Sequence, residues 1–199
     1  MHGSFRAAPA APTSIVDSQA IAASTSRPFV RLSRNGSVQA MASDIFAKIG
    51  DIKGESADDK HKGEIEVLSF SWGVNNSGTI TGGAGGGAGK ATFHDIVFTH
   101  GIDKASPSLL RACAVGEHFK EATITHRKAG KNQVEFLVIK MTDVIVTSVG
   151  QSDASGGSSA ENVSLAFAKI DYAYSPQKQD GSLDAAIHFK YDLKANKEG

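Results

Sequence analysis

From Met41 onward most segments alternate apolar and polar residues with a period of two, the pattern of strands that keep one face in a core. Strands are predicted over 44–49, 64–72, 91–98, 121–127, 134–147, 162–174 and 186–193, and the span 134–147 is long enough to bend or to split in two. Within 64–72, Leu68, Phe70 and Trp72 fall on one face and Val67, Ser69 and Ser71 on the other. Two faces of different chemistry imply two different neighbours. Turns rich in Gly, Asn, Asp and Lys, such as Lys128-Ala-Gly-Lys-Asn132, separate the runs and suit antiparallel hairpin connections.

One segment breaks the period. Ser106 as N-cap, Pro107 at the first helical position and Gly116 as a stop predict a helix of about three turns. Leu109, Leu110, Cys113 and Ala114 fall on one stripe, which predicts a helix packed on the sheets as a plug or side cover. One short helix beside seven or eight strands predicts a mainly β domain, built as a barrel or as two packed sheets.

Composition narrows the classes. The chain has 199 residues, 21 Lys plus Arg against 21 Asp plus Glu, and one Cys. That charge balance argues against a general nucleic-acid binder, whose affinity rests on a basic excess. A single Cys rules out an intramolecular disulfide and a multi-cysteine zinc site, and no run of ~18 apolar residues is present to span a membrane. Charge also divides the chain: residues 1–40 hold four Arg and one Asp, whereas residues 41–199 hold 17 basic and 20 acidic residues. The first part has no apolar core of signal-peptide length, so a cleaved export signal is rejected. It reads as a disordered N-terminal extension, an organellar transit peptide, or sequence upstream of a natural start at Met41.

Candidate chemistry is sparse. The run Gly82 to Lys90 invites a phosphate-loop reading, but Ala91 stands where a hydroxyl should hold Mg²⁺, and a strand follows in place of a helix. A Gly-rich span of this length in a compact domain reads better as an interaction loop. Cys113 reads as a buried, inert thiol. His61, His94, His100, His118, His126 and His188 show no metal-ligand spacing and read mostly as surface residues. No cofactor, metal or enzyme activity is called for.

The blocks Asp44-Ile-Phe-Ala-Lys-Ile-Gly-Asp-Ile-Lys-Gly-Glu-Ser56, Ile65-Glu-Val-Leu-Ser-Phe-Ser-Trp-Gly73, Gly89-Lys90, Ile102-Asp-Lys-Ala-Ser-Pro107 and Glu161-Asn-Val-Ser-Leu-Ala-Phe167 closely resemble the haemolysin-coregulated protein (Hcp) family. The resemblance runs in order from Met41 to about Lys194. It implies an antiparallel β-barrel of two packed sheets with one short flanking α-helix over residues 41–199, and a non-enzymatic tube subunit of a bacterial type VI secretion system. It further implies homohexameric rings that stack into the injected inner tube, work with sheath, spike and baseplate proteins, and carry small effector proteins in the lumen. By the same resemblance the protein waits in the bacterial cytoplasm and is secreted without a cleaved signal peptide. The connector residues Gly78, Thr79, Ile80, Thr81, Gly82, Gly83, Gly85, Gly86, Gly87, Gly89 and Lys90 would meet the neighbouring subunit, and Ser69 and Ser71 would line the lumen. The competing class is a monomeric β-sandwich that binds a ligand or protein without assembling.

Overall fold

The computed structural model describes residues 30–32, 38–40, 43–78, 90–128, 133–153, 157 and 159–199. The chain divides into two units, Met1–Ala40 and Met41–Gly199. In the first, β1 (Val30–Leu32) pairs antiparallel with β2 (Val38–Ala40).

The second unit carries β3 (Ser43–Ile49), β4 (Ile65–Ser71), β5 (Val74–Asn76), β6 (Ala91–Phe93), β7 (Ile96–Gly101), α1 (Ser106–Val115), β8 (His118–Lys128), β9 (Glu135–Ser152), β10 (Ala160–Tyr174), β11 (Ile187–Asp192) and β12 (Lys197–Glu198). Pairing runs β10-β7-β4-β3-β8-β9 and returns to β10, so six antiparallel strands close into a barrel. One strand makes that closure possible. β10 pairs with β9 along its whole length, while its other edge meets β7 over Ala160–Leu165 and β11 over Lys169–Tyr174. The barrel with a single helix matches the fold class read from the sequence. The expected strand 91–98 is two strands, because β6 pairs with β5 in a small separate sheet whereas β7 joins the barrel.

The core is formed by inward positions of every barrel strand, among them Ile49, Ile65, Phe98, Ile124, Ile139, Val144, Val163 and Leu165, all buried. Helix α1 packs against β9. Its buried stripe is Ala105, Ser106, Leu109 and Ala112, with Cys113 half-buried, and not the stripe that the sequence suggested: Leu110 and Ala114 are exposed. Ser106 does not cap the helix, and its neighbour Asp103 accepts the Ala105 N–H at 2.8 Å instead. Gly116 closes the helix at φ 66°, a left-handed conformation that glycine adopts without strain.

Strand β9 runs unbroken from Glu135 to Ser152 and does not split. Asp143 sits at φ 56° in mid-strand, and its carboxylate accepts from His118 Nδ1 at 3.0 Å and Lys194 Nζ at 2.5 Å. Those hydrogen bonds, Lys194 foremost, hold its carboxyl below the usual range and offset a backbone conformation that is costly for a non-glycine residue.

The segment between β3 and β4 folds back on itself and contacts β3 and β8 through His61 and Asp58. Gly54 N–H donates to Gly63 O at 2.9 Å and Ser56 N–H to Glu64 O at 3.1 Å. A Cβ on Gly54 would meet the Glu64 carbonyl oxygen at 2.2 Å, so only glycine permits this approach. Gly54→Ala is expected to cost about 2 kcal/mol in urea unfolding, the scale of a small overpacking change, and a variant as stable as the parent would show that the segment does not pack this closely.

Candidate functional site

Strand pairing places side chains from four barrel strands on one outward patch. Ser71 lies opposite Val97, Val97 opposite Ser164, and Ser164 opposite Ser148. The next row holds Ser69, Thr99, Asn162 and Gly150. Directly opposed residues in an antiparallel pair share a face, so β4, β7, β10 and β9 present eight small or medium residues with no charge among them. Thr99 Oγ1 donates to Asn162 Oδ1 at 2.6 Å and fixes two of them. Inward of this patch, His100 and Glu161 pair at 2.9 Å and Gln151 Nε2 donates to the same carboxylate at 2.7 Å, all within the barrel end.

The sequence marked Ser69 and Ser71 and missed the other six, because single-strand alternation cannot say which strands lie side by side. Asn162 and Ser164 did alternate with Val163 and Leu165, the one readable signal. The same patch corrects the face assignment of β4. A bulge between Val67 and Ser69 leaves Leu68 without a partner on β7. Ile65 and Val67 point inward before it, Phe70 and Trp72 pack against the core after it, and Leu68 is 67% exposed. One extra residue shifts the period-two pattern.

Further along the same two long strands the outward chemistry changes. Beyond Asp143, one row reads Glu121, Thr142, Lys169, Asp192 and Lys197, and the next Thr123, Lys140, Asp171 and Lys190. Opposite charges face one another across strands, with Lys169 Nζ 2.9 Å from Asp192 Oδ2. β9 and β10 thus carry an uncharged zone and a charge-alternating zone in tandem.

Beside the uncharged zone, an ionic cluster ties the 50–64 segment to the barrel. Arg127 donates through Nη1 to Asp58 Oδ1 at 2.8 Å and through Nη2 to Asp44 Oδ2 at 3.0 Å. Its guanidinium lies 4.9 Å from the Phe46 ring centre, and His61 stacks on that ring at 4.2 Å. The Arg127 hydrogen bond holds the Asp58 carboxyl well below the usual carboxylate range, and Asp58 in turn raises the guanidinium.

Of the connector residues, Gly78 and Lys90 flank the span, with the Gly78 N–H on Asn76 Oδ1 at 2.8 Å. Thr79, Ile80, Thr81, Gly82, Gly83, Gly85, Gly86, Gly87 and Gly89 lie outside the described residues. The histidines depart from expectation: His61, His100 and His126 are buried, His100 and His126 on barrel strands and His61 in a turn that stacks it on Phe46 of β3. Among the described residues no three His, Cys, Asp or Glu side chains converge on a metal position, and no helix is long and apolar enough to cross a membrane.

The sequence matches the family described as "Type VI secretion system effector, Hcp" over residues 46–174. It is 47% identical over 160 residues to Protein hcp1 of Pseudomonas aeruginosa, covering 78% of this chain and 98% of that one. Among solved structures it resembles one described as a type six secretion system protein, at TM-score 0.76 and 33% identity over 79% of this chain and 100% of the other. It also resembles Hcp1 from Salmonella typhimurium, at TM-score 0.66 and 42% identity over 80% and 100%. A closed barrel with one side helix, matched at this level along its length, defines a type VI secretion tube protein. The chain belongs to the Hcp family, a family of structural, secreted tube proteins.

His126 supplies a pH test of the barrel interior. Its Nε2 is buried without a hydrogen-bond partner, and its ring meets the edges of Phe70 and Phe136. Burial pushes its pKa from 6.5 down to about 4. The unfolded chain therefore binds the proton first, and stability present above pH 6.5 is lost as pH falls towards 4. Between pH 7.5 and 5 this group should remove about 2 kcal/mol. Urea unfolding of wild type and His126→Leu should show the steeper acid loss in wild type, and parallel profiles would contradict the assignment.

Proposed function

We propose that residues 41–199 form the subunit of homohexameric rings that stack into the inner tube, with the uncharged zone turned to the lumen to carry small effector proteins. The observation that carries this reading is the eight-residue patch without charge on a barrel whose neighbouring zone alternates charge. A wall of small uncharged residues leaves space and holds no fixed ion that would trap a passing protein. Ser69 and Ser71 belong to that patch, and Val97, Thr99, Ser148, Gly150, Asn162 and Ser164 extend it.

The connector from Gly78 to Lys90 is assigned to the neighbouring subunit. Its glycines are costly to order, which a partner surface offsets, and they let another backbone come close. A ring needs two unlike patches that meet head to tail with a rotation that closes. Sheath, spike and baseplate proteins complete the set of partners. The role needs no catalytic residue, cofactor or metal, and places the protein in the bacterial cytoplasm before firing and outside the cell afterwards, without a cleaved signal peptide.

Light scattering on the purified chain should give a hexameric mass at micromolar concentration and moderate salt, and a monomeric mass would favour a binding module that does not assemble. Ser71→Gln should leave rings intact and reduce retention of a co-expressed effector. Undiminished retention, or loss of the rings, would show that this face is turned elsewhere.

A further inference from the structure

The bulge in β4 sets one large apolar side chain at the border of the uncharged zone, and acidic groups surround it. Leu68 stands 67% exposed because the bulge denies it a partner. It borders a recess of about 470 Å³ whose other walls include Asp44, Phe46, Asp58, Glu66 and Arg127. Phe46 is not free to contribute apolar contact, since His61 and Arg127 cover it. Leu68 is therefore the large exposed apolar side chain of the recess, beside the smaller exposed Ala57 and the half-buried Ile45.

The charge around it is uneven. Three carboxylates face one guanidinium, a balance of −2, and Arg127 is already engaged by Asp44 and Asp58. Glu66 lies next to Leu68 on the outward side of β4, opposite Phe46, and has no ion-pair partner among the described residues. A visiting carboxylate would meet net repulsion here. A visiting lysine or arginine would find Glu66, and its aliphatic stem would lie along Leu68.

We propose that Leu68 and Glu66 form a docking point for a cargo segment that presents an apolar side chain flanked by basic residues. The inference rests on the reading that this wall carries cargo, and deepens it by naming the chemistry that the wall selects. Small polar neighbours at Ser69 and Ser71 give the segment room, Leu68 supplies the apolar contact, and Glu66 sets the sign of the charge.

The test uses the full chain and two short fluorescein-labelled peptides with the same Leu-Leu centre, one flanked by Lys and the other by Glu. Fluorescence anisotropy should show binding of the Lys peptide and none of the Glu peptide. Leu68→Ser and Glu66→Gln should each weaken the Lys peptide by roughly three- to tenfold. Both side chains are exposed, so thermal melting should be unchanged, and if Leu68→Ser melts lower, Glu66→Gln carries the comparison. Equal binding of the two peptides, no binding of either, or an affinity indifferent to both substitutions would overturn the proposal. Light scattering on the same samples separates the two readings: a ring mass without peptide selectivity overturns the docking point alone, and selective binding by a monomer overturns the ring alone.

Discussion

The fold depends on β10 being hydrogen-bonded on both edges. One edge is committed to β9 from end to end, and the other is divided between β7 and β11. Without that division the sheet would end in an open edge and the barrel would not close. Closure lets Phe98, Ile124, Val163 and Leu165 share a single interior, and it fixes which outward residues become neighbours. The eight-residue uncharged zone follows directly, since β4, β7, β10 and β9 lie side by side only because the ring of strands is complete.

The length of β9 and β10 gives the subunit two kinds of outward surface. Asp143, held at positive φ by hydrogen bonds from His118 and Lys194, lies between them on β9. On one side lie Ser148, Gly150, Asn162 and Ser164, and on the other Lys140, Lys169, Asp171 and Lys190. One pair of long strands thus carries two chemically different outward surfaces without a second domain. The 50–64 segment, pinned by Gly54 and by the Arg127 cluster, walls off the flank where Leu68 emerges.

Much of the architecture was legible: period-two alternation marks the strands around Ile45, Ile65, Ile124 and Val163 and the long strand β9, and Pro107 and Gly116 mark the lone helix. The exceptions have local causes. Leu68 reads as core because a bulge leaves no mark on composition, and the true inward residue is its neighbour Val67. Leu110 reads as helix core because the stripe can be drawn through it or through Ala112, and only packing against β9 decides. His61, His100 and His126 read as surface because their burial comes from partners distant in sequence, Phe46, Glu161 and Phe70. For the site, Ser69 and Ser71 were visible as the polar side of one strand. Thr99, Asn162 and Ser164 required the strand order, which no single segment contains.

The central claim is that the uncharged zone lines the channel of a ring. An electron cryomicroscopy map of the assembled protein at side-chain resolution tests it most directly. The account predicts Ser69, Ser71, Thr99 and Asn162 facing the ring axis, with Lys140, Lys169 and Lys190 away from the lumen. A ring whose channel is walled by those lysines, with the serines packed against a neighbour, would contradict it.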